Sequence, residues 1–257
     1  MEVPKELSDL VLEKSERIQP VFGIVAPPPR IEIRTDIPQD DVMAGASACF
    51  AYQMGTNDRC IWVDAGWYEA NKTNIEEVHW AIAEETAHYC HHNINFPLWD
   101  ETADIETRQM KKKWKHGNHR IWELKNLAEM VARIGGMYAG LPPPDFGKMM
   151  SVWDKIMEML KGMRGPEEID AYCEANPVFG RALYHTANRV WGCHIGDMIS
   201  RQSEVHCLPK PELVRGLARC STFREAAEVY FSFYPEKDMI RTYMEMVAQN
   251  FFTPKTG

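Results

Sequence analysis

The chain opens with apolar residues at helical spacing. Leu7, Leu10, Val11 and Ile18 line one side of the segment from Pro4 to Ile18, which predicts an amphipathic opening helix. The period then shortens. Val21 to Val25, the alternating Ile31-Glu32-Ile33, Ser47 to Gln53 and Cys60 to Asp64 have strand character, and Pro27-Pro28-Pro29 and Gly55-Thr56-Asn57-Asp58 mark turns between them. A small sheet of three or four strands follows from this pattern. After Asp64 the period is helical to the end of the chain. Thr73-Asn74-Ile75-Glu76 has the form of a capping box, in which the Thr73 hydroxyl and the Glu76 carboxylate satisfy free amides of a first turn. The helix it opens is predicted over 74–92, with further helices over 98–116 and 119–138, the last closed by Gly135-Gly136 and Gly140. Leu141-Pro142-Pro143-Pro144 cannot continue a helix. Beyond it the pattern predicts helices over 145–163, 166–174, 177–201, 211–219, 222–232 and 236–250, with Asn176-Pro177 as a capping side chain followed by a proline at the first helical position. The expected fold class is therefore α+β. Residues 1–141 form a small N-terminal sheet with its helices, and residues 142–257 an all-helical part.

Composition narrows the partners. The 257 residues, 45% hydrophobic and 26% charged, fall within the globular range. Lys+Arg of 29 against Asp+Glu of 37 leaves a net charge of −8, spread along the chain, which argues against a nucleic-acid partner. No apolar run approaches the ~20 residues of a membrane-spanning helix, and Met1 to Leu10 carry charges where a signal peptide would have its apolar core. A cytoplasmic protein without a membrane partner is the expectation. The seven cysteines, at 49, 60, 90, 173, 193, 207 and 220, are odd in number and form no CxxC pair, so reduced and mostly buried thiols are expected. Lys111 to His116, basic with Trp114 inside it, reads as a solvated helix end, where cations favour the C-terminal dipole.

The candidate chemistry gathers on the 74–92 helix, where four of the nine histidines, His79, His88, His91 and His92, lie within fourteen residues. At about 100° per residue Glu84, His88 and His91 share one face, with Glu85 and His92 just beside them. Trp80, Ile82, Ala83, Ala87, Tyr89 and Cys90 occupy the other faces and read as buried. A helix packed on its apolar sides and lined by carboxylates and imidazoles needs partners for those groups, because an unpaired buried charge costs several kcal/mol. A bound cation would supply them.

Ala83-Glu84-Glu85-Thr86-Ala87-His88 resembles the zincin metallopeptidase motif HExxH, in which two histidines one turn apart hold zinc and the intervening glutamate activates its water. Glu84 stands where the first histidine would be. The strand-like Cys60-Ile61-Trp62-Val63-Asp64 is similar to the last strands of a zincin sheet before the active-site helix. Glu129-Met130-Val131-Ala132 resembles the ExxA setting of the third ligand in gluzincins. Tyr184-His185, with Gly192, Gly196 and then Pro211-Glu212-Leu213-Val214 after it, resembles the helical half in which a tyrosine hydrogen-bonds the tetrahedral intermediate. The resemblance spans about 60–250 and implies a zincin-like fold and a metal-dependent hydrolase acting on a peptide or protein substrate. It implies Glu84, His88 and Glu129 as ligands of one divalent ion, Glu85 as general base, and Tyr184 or His185 as oxyanion donor. Two carboxylates and one imidazole neutralise a divalent charge, so manganese or iron would compete with zinc at such a site.

Other readings of the same residues stay open. His88 and His92 are four apart and can hold the metal with Glu85 as third group and His91 beside them, although no glutamate then lies between the ligands. A zincin-like scaffold without activity would serve as a binding or structural module. Glu76-Glu77-Val78-His79 and Glu85-Thr86-Ala87-His88 are both ExxH, the ligand pair used twice in di-iron carboxylate bundles, though here both copies lie on one helix.

Overall fold

Helix α1 (Lys5–Phe22) buries Leu7, Leu10, Val11 and Ile18, the stripe that predicts it, and runs one turn further than that stripe. The structure, a computed structural model, describes residues 2–35, 48–52, 59–110, 119–140, 147–163, 166–201, 208–236 and 238–249. The basic run Lys111 to His116, the break from Leu141 to Pro144 and Cys207 lie outside the described residues. Val21 to Val25 is not a strand. Val21 and Phe22 complete the last turn of α1 as buried residues, and Gly23 ends the helix at φ 68, where its amide donates to the Pro20 carbonyl at 3.1 Å. Apolar residues suit either element, and here a left-handed glycine and burial against the core decide for the helix.

Three strands form the sheet: β1 (Arg30–Arg34), β2 (Ala48–Tyr52) and β3 (Arg59–Asp64), in the order β1-β3-β2. Central β3 pairs parallel with β1, Ile31 opposite Ile61, and antiparallel with β2, Phe50 opposite Ile61. Ile31, Ile33, Ile61 and Val63 form a small core with Leu7, Leu10 and Val11 of α1. The alternation in each strand puts these side chains on one face.

Helix α2 (Ala65–Asn71) follows β3 directly, capped by the Asp64 carboxylate, which accepts from the Trp67 amide at 2.7 Å. Helix α3 is Ile75–Ile94. The capping box at Thr73 to Glu76 does not form, because the turn out of α2 takes the Asn74 amide (2.7 Å to the Asn71 carbonyl) and the first helical bond goes to the Asn74 carbonyl. Helix α4 (Phe96–Met110) starts after Asn95, whose side chain accepts from the Leu98 amide and donates to the Cys220 carbonyl at 3.0 Å. Then come α5 (His119–Gly136), a 3-10 turn (Met137–Ala139), α6 (Gly147–Leu160), α7 (Pro166–Ala175), α8 (Pro177–Ala187), α9 (Val190–Arg201), α10 (Pro211–Leu217), α11 (Phe223–Phe233) and α12 (Asp238–Val247). The layout is α+β, mostly helical with one three-stranded sheet among the described residues. No helix among them is long and apolar enough to cross a membrane.

The single helix predicted over 177–201 is broken at Asn188-Arg189 into α8 and α9. Asn126 of α5 is the reason. Its Nδ2 donates to the Ala187 carbonyl at 2.7 Å and its Oδ1 accepts from the Gly192 amide at 2.8 Å, so two groups that a continuous helix would pair internally are paired across to α5. Helix α5 lies between α3 and α9, and one hydrophobic cluster runs from Ile18 to Ala248 around it. A Cβ on Gly192 would stand 2.1 Å from the Asn126 carbonyl oxygen, and one on Gly135 would stand 2.8 Å from the Phe22 ring. The Arg133–Asp197 pair, 2.8 Å and buried, adds a second tie between α5 and α9.

A methyl at position 192 must push α9 off α5 backbone, because the atom it meets is a carbonyl rather than a flexible side chain. Gly192→Ala is therefore expected to destabilise the protein by about 3 kcal/mol. Urea unfolding checks this, and a midpoint unchanged from wild type would contradict the close approach.

Candidate functional site

Beyond Trp80 most of α3 is buried, its polar side chains Glu84, Thr86, His88, His91 and His92 included. Thr86 meets its own need by donating to the Ile82 carbonyl at 2.7 Å. Glu84 and His88 meet residues from α5 and from the α8–α9 break. One ligand atom each from Glu84, Glu129 and Cys193 lies within 4.8 Å of the others. His88 Nε2 is 3.8 Å from Glu129 Oε1, and Cys193 Sγ is 3.9 Å from Glu129 Oε2. Arg189, in the break, sets Nε 3.4 Å from Glu129 Oε2 and Nη2 3.8 Å from Glu84 Oε2.

The structure thus brings together Glu84, His88 and Glu129, and adds Cys193 and Arg189, which sequence reasoning did not single out. Their signal was faint: an arginine and a cysteine four apart in an apolar stretch, with Gly192 and Gly196 at the spacing of a close-packed helix face. Three buried atoms of the site make no hydrogen bond, Glu84 Oε1, His88 Nδ1 and Arg189 Nε. Such groups are rare in folded proteins and call for a partner.

Burial, reinforced by the charges of Glu84 and Glu129, raises the Glu85 carboxyl well above the usual carboxylate range. Glu85 Oε2 accepts from the Phe50 amide of β2 at 2.5 Å, which ties α3 to the outer strand of the sheet. Burial and the Glu129 charge likewise keep the Cys193 thiol protonated. Glu129, with Glu84 behind it, holds Arg189 firmly charged. Arg133 also feels Glu84, but its guanidinium is engaged by Asp197 and lies 4.9 Å over the Trp80 ring.

The Tyr184 hydroxyl donates to Glu106 of α4 at 2.9 Å. Lys125 pairs with the same carboxylate and lies 5.2 Å over the tyrosine ring, so Tyr184 sits in a satisfied group of its own. That group adjoins the site through Lys125, whose charge reaches His88. His185 belongs to α8, and its side chain lies outside the described residues. His88, His91 and His92 converge on the Trp99 ring of α4, at centroid distances of 5.6, 5.8 and 5.9 Å, rather than on one another's nitrogens. Of the other ExxH copy, Glu76 and Glu77 are exposed and His79 lies near Lys14 and Glu13 of α1.

Burial pushes His88 and His92 down to about 4, and His91 to about 3. All three imidazoles are neutral in the folded protein at pH 7, whereas in the unfolded chain they titrate near about 6.5. Between about 6.5 and 4 the unfolded state therefore binds more protons, and stability rises with pH through that window and is lost as pH falls. Urea midpoints at pH 7 and pH 5 are expected to differ in that sense, and His91→Gln is expected to lessen the difference. An identical pH slope in the variant would show that His91 takes up its proton without unfolding.

Comparison of the chain with protein-family models, with curated proteins and with solved structures returns no match.

Proposed function

We propose that the chain is a zincin-like, metal-dependent hydrolase of peptides or proteins whose one divalent ion is held by Glu84, Glu129 and His88, with Cys193 as a further donor. The observation that carries this reading is the convergence of Glu84, Glu129 and Cys193 within 4.8 Å, with the buried Glu84 Oε1 lacking a hydrogen bond and His88 Nε2 3.8 Å from Glu129. The donor set fits a divalent transition metal. Two carboxylates supply the countercharge, and an imidazole and a thiol, deprotonated on coordination, are the softer donors that favour zinc or iron, with manganese able to compete on the carboxylates. A bound ion would supply a Lewis acid next to Glu85.

Glu85 acts as the base in this reading. Burial and the charges of Glu84 and Glu129 raise its affinity for a proton above that of an ordinary carboxylate, in the sense a base needs. The Phe50 amide orients its carboxylate toward the outer edge of β2. A peptide or protein substrate is part of the reading on the resemblance of Glu84-Glu85-Thr86-Ala87-His88 to HExxH. A cytoplasmic site of action belongs to the same proposal, supported by the free thiols of the described cysteines 49, 60, 90, 173, 193 and 220.

Elemental analysis after native purification is expected to find about one zinc, iron or manganese ion per chain, and Glu84→Ala is expected to lose it. Metal-free protein that gains no thermal stability from any of the three ions would remove the metal site. Glu85→Gln is expected to abolish hydrolysis of a casein substrate, a loss of about 100-fold or more, while metal content stays near that of wild type. Full activity in that variant would assign the base elsewhere.

A further inference from the structure

Glu84 and Glu129 already have a cation between them. Arg189 reaches both carboxylates, Nη2 to Glu84 and Nε to Glu129, from the two-residue break between α8 and α9. The neighbouring cations have other duties: Arg133 is bound by Asp197, and Lys125 by Glu106 and Tyr184. Without Arg189, two carboxylates and a buried thiol would face one another with little to balance them, which buried charge does not tolerate cheaply.

Its contacts are nevertheless loose. They span 3.4 and 3.8 Å, and the buried Nε makes no hydrogen bond, whereas a guanidinium locked onto carboxylates does so by short paired bonds. The Arg189 side chain is 41% exposed, against 10% for Glu84 and 17% for Glu129, so it enters the site from the solvent side. A divalent ion and a guanidinium cannot share the space between the same two carboxylates, since their mutual repulsion in a buried site is strong.

We propose that Arg189 is the resident counter-ion of the Glu84–Glu129 pair, and that a divalent ion enters this site by displacing it. The inference rests on the metal site proposed above. Arg189 then sets how tightly the metal is held: it keeps the metal-free site neutral enough to stay folded, and it makes occupancy depend on the free metal concentration. It acts as a positioning residue for the ligands.

The test measures zinc and manganese dissociation constants by chelator competition, together with melting temperatures of the metal-free proteins, for wild type, Arg189→Met and Arg189→Lys. Arg189→Met is expected to bind zinc at least about tenfold more tightly than wild type, because a competing charge is gone. Its metal-free form is expected to melt below wild type and to gain more on adding zinc. Arg189→Lys keeps a cation on a shorter stem, which protects folding, and is expected to fall between the two. Metal binding by Arg189→Met but not by wild type shows that Arg189 closes the site to the ion, and overturns the displacement. Equal affinities in all three proteins overturn the displacement and leave the metal site standing. No binding of either ion by wild type, Arg189→Met or Arg189→Lys overturns both.

Discussion

Helix α5 approaches α3 on one side and α9 on the other at close to backbone distance, and the candidate site exists because of that approach. Gly192 of α9 lets the helix rest on the Asn126 carbonyl, and Gly135 of α5 makes room for Phe22 and Ala87. Side chains any larger would separate the three helices by a methyl group or more. Asn126 then uses the closeness twice, taking the Ala187 carbonyl and the Gly192 amide, and so creates the break that carries Arg189. Glu84, Glu129 and Cys193 come from three different helices, and only this spacing puts their ligand atoms together.

The electrostatics follow from the packing. A site assembled between tightly packed helices buries its carboxylates, which must then be met by charges the protein supplies or binds. One part of the demand is met permanently by Arg133 and Asp197, another by Lys125, Glu106 and Tyr184. Glu84 and Glu129 are met loosely, by an arginine that is partly in solvent. The difference between tight and loose pairing within a few ångströms separates the structural charges from those free to change partner. Glu85 stands apart from both sets, held by the Phe50 amide at 2.5 Å. It shares the carboxylate field of its neighbours yet points to a backbone amide of the sheet, which makes it the link between the helical core and the outer strand.

The histidines illustrate the opposite outcome. His88, His91 and His92 carry the strongest compositional signal in the chain, and burial around Trp99 leaves them neutral aromatic packing as much as chemistry. His88 alone also reaches a carboxylate of the site. Imidazole serves both purposes, and the sequence records only its presence.

Local pattern by itself determined the α+β layout, the stripe of α1, strands β1, β2 and β3, the start of α8 at Pro177, and the shared helix face of Glu84 and His88, because periodicity and proline act over a few residues; the Asn176 side chain does not cap α8 but donates to the Tyr172 carbonyl. The same logic misplaced Val21 and Phe22 in a strand, formed a capping box that the preceding turn prevents, and ran one helix through Asn188-Arg189. Burial against the core decides the first and Asn126, distant in the chain, the third, whereas the capping box yields to a neighbouring turn. Glu129 joined Glu84 on the strength of a family resemblance, and Cys193 and Arg189 were not foreseen at all. Which partner a buried polar group meets depends on how closely two helices approach and at what rotation, and those quantities are set by glycines, by Asn126 and by the whole core rather than by the residues on either side.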